Sequence, residues 1–282
     1  MVFRRMFRSL LRKTFLGAAL STVAIGGAMA QGYGTGAPSG DQEWTYQVGV
    51  YGFMPGVTGD VGVRGVSSEA DVSFDQIWDN LDMAAMAFGE IHRDKFSFVV
   101  DADYLDLRAD GSRVSNRGFV QANLDMSFKQ VVAAGYATYT IIDSTINANS
   151  DKRVFNLDVL GGGRYNWLES ELGLSVAGLR RSATASSDRT VDWVDPVIGL
   201  RATYVPYDNW FISGWADFGG FGVGSQQTYQ LIGTVGYRFE NGLDLFAAYR
   251  SYHFKYETGS GADYLNLDLT YSGPEFGLAY RF

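Results

Sequence analysis

Apolar and polar side chains alternate with a period of two along most of this chain. From Thr228 to Phe239 one face carries Tyr229, Leu231, Val235, Tyr237 and Phe239, while the other carries Thr228, Gln230, Thr234 and Arg238. Similar alternation runs from Phe155 to Trp167 and from Val194 to Tyr204. Period-two alternation predicts β-strands with one apolar face. An apolar face toward lipid and a polar face toward a lumen is the pattern of a transmembrane β-barrel.

Turn signals divide the alternating segments into an even number of strands. Short turns are expected near 93–95, 142–152, 206–209 and 240–242, and longer segments near 55–81, 110–117, 179–189, 219–225 and 258–262. Barrels of this type place short turns in the periplasm and long loops outside. The sequence therefore predicts an all-β, closed antiparallel barrel of about ten strands, with twelve or eight as alternatives. Residues 54–81 are expected to form an external loop or a partial plug.

The last strand contains a change of phase. Leu265, Leu267, Leu269 and Tyr271 are apolar at odd positions, whereas Phe276, Leu278, Tyr280 and Phe282 are apolar at even positions. Ser272-Gly273-Pro274 lies between the two sets and could form either a turn or a β-bulge. A turn there would place the long loops on the periplasmic side, so we expect a bulge within one continuous strand.

The Gly277–Phe282 ending resembles the terminal strand of Gram-negative outer-membrane β-barrel proteins, whose assembly machinery reads the terminal aromatic residue. The resemblance extends to Asp195–Arg201, Gly219–Ser225 and Gly236–Arg238, which are similar to proteobacterial small outer-membrane barrels, or porin-family proteins, of the opacity-protein and OmpA-like class. It implies that Tyr280 and Phe282 form an assembly signal. It also implies periplasmic chaperones, the barrel-assembly machinery, outer-membrane lipids and lipopolysaccharide as partners.

The amino terminus has the features of a signal peptide. Arg4, Arg5, Arg8, Arg12 and Lys13 precede an apolar run of about 13 residues, and Ala28-Met29-Ala30 offers a cleavage site. The run is shorter than the roughly 20 residues of a membrane-spanning helix. We expect residues 1–30 to be a cleaved signal peptide, 31–42 a flexible periplasmic lead-in and 43–282 a barrel in the outer membrane.

The net charge of the chain argues against one class of partner, the nucleic acids. Removing residues 1–30 leaves 18 basic and 31 acidic residues, a net charge of −13. An acidic surface does not suit a nucleic-acid backbone, so no nucleic acid is expected. The 17 Tyr, 19 Phe and 6 Trp are sufficient for aromatic girdles at the two membrane interfaces.

Charged residues on the polar strand faces are expected to line the lumen. They are Asp101, Asp103, Asp125, Lys129, Asp158, Arg164, Asp195, Arg201, Asp217, Arg238, Asp268, Glu275 and Arg281. Unpaired charges in a narrow lumen are costly, so Arg201 and Arg238 should pair with acids such as Asp195 or Asp217. The lining is compatible with a salt-bridged, filled interior or with a narrow hydrated pore.

Candidate catalytic chemistry is sparse. His92 and His253 are the only histidines, and Ser251 and Glu257 share a strand face with His253, which is a poor match to a triad. The acids Asp71, Asp75, Asp79 and Asp82 lack the spacing and central glycine of a calcium loop. We expect no metal, no cofactor and no enzymatic activity. The expected role is structural or that of a narrow porin-like protein for small solutes; a surface-binding barrel and a lipid-modifying hydrolase are the alternatives.

Overall fold

The alternating segments form one antiparallel sheet that closes on itself. A computed structural model describes residues 44–63, 66–114, 120–148, 151–178, 182–207 and 209–282. The expected signal peptide and the whole of the lead-in lie outside these residues. No helix within the described ranges is both long and apolar enough to cross a membrane.

Twelve strands make up the sheet. They are β1 (Thr45–Phe53), β2 (Gly56–Val63), β3 (Val66–Val72), β4 (Leu81–Arg93), β5 (Phe96–Val114), β6 (Val120–Ala148), β7 (Asp151–Gly178), β8 (Ser182–Tyr207), β9 (Trp210–Gly219), β10 (Gln227–Arg238), β11 (Leu243–Thr258) and β12 (Leu265–Arg281). The short helix α1 spans Phe74–Trp78, and Gly261–Asp263 forms a 3₁₀ turn. β1 and β4 to β12 pair in sequence order, and β1 pairs with β12. The predicted closed barrel of ten strands is confirmed.

The remaining two strands extend the sheet beyond the ring. β2 continues along β12 in the register set by β1, because Phe53 lies opposite Glu275 and Gly56 lies opposite Ser272. β3 then folds back on β2. The segment 54–81 is therefore a β-hairpin followed by α1, and its buried side chains Val57, Val61, Val72 and Ile77 join the interior core.

A band of exposed apolar side chains surrounds the barrel near its short turns. Phe98, Ile198 and Leu278 are 60%, 60% and 46% exposed on the outer face. Tyr46, Trp210 and Tyr280 mark its edge at the short-turn end, where both ends of the barrel domain also lie. This arrangement is that of an outer-membrane-type barrel, whose outward apolar band is about 25 Å tall.

The opposite end, here called the extended end, projects far beyond this band. β7 has 28 residues, which corresponds to about 90 Å at roughly 3.3 Å per residue. There the outer face carries Arg108, Lys129, Glu169 and Asp188, while the inner face carries buried Phe128 and Leu168. The polarity of the two faces is therefore inverted between the band and the extended end.

This inversion explains the phase change in β12 without any bulge. The pairing of β12 with β11 runs from Leu265 opposite Thr258 to Tyr280 opposite Leu243 with no shift of register. Odd positions face inward throughout: Leu265, Leu267, Leu269 and Tyr271 join the interior core, and Glu275 and Ala279 are also buried. The expectation of one continuous strand is correct, and the expectation of a bulge at Ser272-Gly273-Pro274 is wrong. The alternation of the backbone stays the same there, and only the environment of each strand face changes.

Three glycines accommodate phenylalanine rings from directly opposite positions on neighbouring strands. Phe88, Phe211 and Phe246 lie opposite Gly49, Gly236 and Gly277, respectively. A Cβ atom added at Gly236 would lie 2.0 Å from the Phe211 ring, and one at Gly49 would lie 2.0 Å from the Phe88 ring. Because glycine has no side chain, each ring can lie directly against the opposite strand, where any larger residue would collide with it. The three rings thereby form an aromatic layer inside the barrel.

Candidate functional site: the barrel interior

An ion pair between Arg164 of β7 and Asp217 of β9 occupies the interior. Both side chains are fully buried, and Nη2 of Arg164 lies 3.1 Å from each carboxylate oxygen of Asp217. The indole of Trp215 donates to Asp217 at 2.7 Å, and the Arg164 guanidinium lies 4.8 Å from the centre of the Tyr252 ring. Arg164 also donates to Thr228 at 3.1 Å. Contacts from several strands thus surround this guanidinium.

A second ion pair crosses the lumen. Arg201 of β8 donates from Nε to Asp158 at 2.7 Å and from both terminal nitrogens to Glu90 of β4 at 3.1 and 3.2 Å. β4 and β8 are separated around the ring by β5, β6 and β7 on one side. The Arg201 side chain is 1% exposed and that of Glu90 is 4% exposed. Both ends of this bridge are therefore shielded from water, and Thr140 adds a hydrogen bond to Asp158 at 2.7 Å.

A third group of charges surrounds Arg250 of β11. Its Nη2 lies 2.6 Å from a carboxylate oxygen of Glu275, and its guanidinium lies over the rings of Tyr51 and Phe53. The Tyr51 hydroxyl donates to Asp103 at 2.6 Å and also lies within 3.2 Å of Asp101. This group links β1, β5, β11 and β12 across the interior.

Asp244 anchors a fourth group at the short-turn end. Arg281 lies 3.2 Å from its carboxylate, Arg238 lies 3.9 Å from it, and the side-chain amide of Gln47 donates to it at 3.2 Å. Arg238 and Arg281 remain partly exposed. Positive charge therefore lies at the mouth beside a buried acid.

Toward the extended end the interior is mainly apolar. The Trp193 ring stacks on Tyr256 with 4.1 Å between ring centres, and Phe254 stacks on Tyr271. The rest of the core at this level includes Leu105, Leu107, Phe128, Leu168, Leu265, Leu267 and Leu269. Gln130 and Asn166 are also buried at this level, among apolar side chains that pack against one another above the ion pairs.

The structure places most of the residues predicted to line the lumen inside the barrel and three elsewhere. Asp101, Asp103, Asp158, Arg164, Asp195, Arg201, Asp217 and Glu275 are buried, and Arg238 and Arg281 lie at the mouth. Asp125 is exposed and Lys129 pairs with Glu169 on the outer face of β6, opposite in direction to Phe128. Asp268 lies on the outer face of β12 beside Lys255. These three assignments are corrected, because all three residues lie where the polarity of the faces is inverted.

The partners of the interior charges differ from those expected. Asp195 accepts hydrogen bonds from the Trp193 indole at 2.9 Å and the Ser225 backbone at 2.6 Å. Arg201 bridges Glu90 and Asp158, and Arg238 lies 3.9 Å from Asp244. Sequence reasoning also missed Glu90, Asp244 and Arg250. Each of the three has an exposed apolar neighbour in the sequence, Ile91, Leu245 and Tyr249 respectively. This alternation would have placed all three inside.

The two histidines lie away from the interior charges. The His253 ring stacks on Tyr229 with centres 4.6 Å apart, and its nitrogens approach Thr270 at 3.0 Å, Gln227 at 3.5 Å and Asp268 at 3.8 Å. Glu257 pairs with Lys255. In the described part of the chain, neither Ser251 nor Glu257 is bonded to His253, so the residues do not form a triad there. His92 contacts Ser97 at 2.8 Å near a short turn.

No group of three or more His, Asp or Glu residues suited to a metal ion occurs among the described residues. No protein-family model and no curated protein sequence matches the chain.

Three solved structures with a similar fold share at most 15% identity with this chain. The outer membrane protease OmpT from Escherichia coli shares 11% identity over 86% of this chain and 97% of its own, with a TM-score of 0.49. The translocator domain of the autotransporter NalP from Neisseria meningitidis shares 15% identity over 98% and 96%, with a TM-score of 0.32. Ail from Yersinia pestis, in complex with a heparin analogue, shares 10% over 85% and 99%, with a TM-score of 0.31. At such values these likenesses assign no role to any residue of this chain.

Proposed function

We propose that the chain is an outer-membrane β-barrel with a closed interior, which has a structural and surface-exposed role and does not act as a passive pore. The observation that carries this proposal is the buried bridge from Arg201 to Glu90 across the lumen. A hydrated pore would leave such side chains accessible to water. The apolar core around Trp193 and Tyr256 adds a second barrier nearer the extended end.

The outer membrane is the proposed location. The exposed apolar band suits lipid, and both barrel termini lie at the short-turn end, which faces the periplasm in barrels of this type. The extended end then faces the exterior. This orientation agrees with a cleaved signal peptide and a carboxy-terminal assembly signal, and it makes lipopolysaccharide the neighbouring lipid.

The projecting parts of β5 to β8 offer the surface on which this protein would act. Their outer faces carry Asp110, Asp125, Glu171 and Asp188 with Arg108 among them. Such a polar sheet, held well above the membrane by a rigid barrel, suits contact with a surface partner. We propose no catalysis and assign His253 a structural role: it stacks on Tyr229 on the outer wall of the barrel, and its ring nitrogens lie 3.0 Å from the Thr270 hydroxyl and 3.8 Å from Asp268.

Planar-bilayer recording from the folded, purified protein tests the closed interior. We expect no stable openings under conditions where a general porin inserted in the same bilayers conducts. Heat-modifiable mobility on gels would first verify that the inserted protein is folded. Stable, reproducible openings of the folded wild-type protein would contradict the proposal and support the narrow porin-like role.

A further inference from the structure

The wall of the barrel is incomplete at one place between β1 and β4. Their pairing ends where Val50 lies opposite Ala87, although β1 continues to Phe53 and β4 begins at Leu81. Beyond this point β4 pairs with β5 and β1 pairs with β12. Within the described residues no ladder joins residues 51–53 to residues 81–86. Pro55, which follows β1, has no backbone N–H with which it could continue the pairing toward β4.

An apolar pocket of about 150 Å³ lies behind this gap. Tyr51, Phe53, Ile77, Met86 and Leu105 form its walls, and all five side chains are buried. A dry cavity of about this size lined by apolar side chains is large enough to hold a benzene molecule. The pocket therefore has the volume for a short length of hydrocarbon.

The mouth of the pocket opens sideways through the wall. Ala84 lies on the same inward strand face as buried Met86 and Phe88, yet it is exposed and lines the pocket. Gly52, on the outer face of β1 at the other side of the gap, also lines the pocket, so the pocket reaches the outer surface of the wall there. The helix α1 lies over the pocket, with Ile77 directed inward and Trp78 60% exposed.

The helix is held in place by its own sequence. Ser73 caps it, since its hydroxyl accepts from the Gln76 backbone N–H while the Gln76 side chain accepts from the Ser73 N–H. Such a capping box stabilises the first turn of a helix. The helix α1 therefore forms a stable cover over the pocket, and the open side of the pocket lies between β1 and β4.

The mouth is level with the outer margin of the apolar band. Val50 and Met83, which border it, are 53% and 54% exposed, and Val100 of β5 is 59% exposed on the same outer surface. Arg108 and Asp82 form an exposed ion pair just beyond. A hydrocarbon chain at this level would reach the pocket directly from the lipid without crossing water.

We propose that this pocket, entered between β1 and β4, binds part of one acyl chain of a membrane lipid. Its apolar walls favour hydrocarbon over any polar ligand, because burial of apolar surface supplies the binding energy. Its sideways mouth favours a lipid of the bilayer over a solute from the exterior. This proposed lipid site does not depend on whether the lumen conducts ions.

Photolabelling from the lipid phase tests this proposal. Folded protein in phosphatidylcholine vesicles, some of whose acyl chains carry a diazirine, would be irradiated and mapped by peptide mass spectrometry. We expect adducts on Met86 and Leu105 as well as on lipid-facing Val100. Ile232 is as deeply buried elsewhere in the interior, so it reports the background.

Two matched variants locate the route of entry. Ala84→Trp should block the mouth and lower labelling of Met86 and Leu105 at least tenfold without changing that of Val100. Ala87→Trp lies on the exposed outer face and should change neither. If Ala84→Trp does not show heat-modifiable mobility, Ala84→Leu places a smaller side chain at the same position of the mouth and is compared in its place.

Two results would overturn the proposal. In the first, wild-type Met86 and Leu105 are labelled no more than Ile232 while Val100 is labelled strongly. In the second, both residues are labelled equally in the wild type and in a folded variant with a blocked mouth, which would show entry by another route.

Discussion

Replacement of Arg201 by leucine is the sharpest test of the closed interior. The guanidinium is 1% exposed and is bonded to both Glu90 and Asp158, so Arg201→Leu leaves two buried carboxylates without their cation. Breaking one buried ion pair typically costs about 3–5 kcal/mol, because a charge remains in a medium of low dielectric constant. We expect the free energy of unfolding to fall by at least about 3 kcal/mol.

Arg108→Leu is the matched control for this substitution. Arg108 pairs with Asp82 at 3.2 Å and with buried Asp106 at 3.3 Å, but its own side chain is 60% exposed, so water screens both pairs. Exposed pairs contribute about 0–1 kcal/mol, so this variant should lie within about 1 kcal/mol of the wild type. Guanidinium titration of the protein folded in lipid vesicles, followed by tryptophan fluorescence, measures both.

A double variant separates charge from packing. Adding Glu90→Gln to Arg201→Leu removes one uncompensated charge, and we expect it to recover part of the lost free energy of unfolding. Equal, small losses for Arg201→Leu and Arg108→Leu would refute the reasoning, because they would mean that water reaches Arg201. Such a result would also argue against the proposed closed lumen.

Three further predictions concern assembly, packing and chemistry. Deletion of Phe282 removes the backbone pair with Tyr46, at 2.9 and 3.0 Å, as well as the terminal aromatic ring. We expect the truncated chain to remain in the periplasm as a protease-sensitive species; normal levels in the outer membrane would contradict this. Gly236→Ala should destabilise the barrel by about 1–3 kcal/mol in the same titration, because its Cβ atom overlaps the Phe211 ring. Gly233→Ala on the same strand meets open space and should be nearly neutral, so equal effects would argue against the glycine–phenylalanine contact. His253→Ala should leave the lipid A and phospholipid profile unchanged by mass spectrometry, and a modification lost only in this variant would establish an enzyme.

The interior itself illustrates a limit of sequence reasoning. The sequence placed Arg164, Arg201 and Asp217 on inward faces, because the direction of a side chain is a local property of a strand. It did not identify their partners: Arg201 and Glu90 are 111 residues apart, and their contact depends on where the ring of strands closes. The apolar pocket was not predicted at all, since a gap between two strands leaves no local pattern.

Period-two alternation was sufficient to determine the class of fold and the faces of the strands within the apolar band, and together with the turn signals it favoured ten strands over twelve or eight. The reason is that each strand face within the band lies against either lipid or the lumen, and its side chains have the matching polarity. Only the tertiary structure decided which surroundings each segment has. Asp125, Lys129 and Asp268 were assigned to the lumen on the assumption that apolar residues face outward everywhere. Beyond the apolar band the outside is polar and the inside is a packed core, so the same alternation has the opposite meaning there. The position of that boundary depends on strand lengths and on how far each strand extends beyond its neighbours, and these are properties of the assembled barrel.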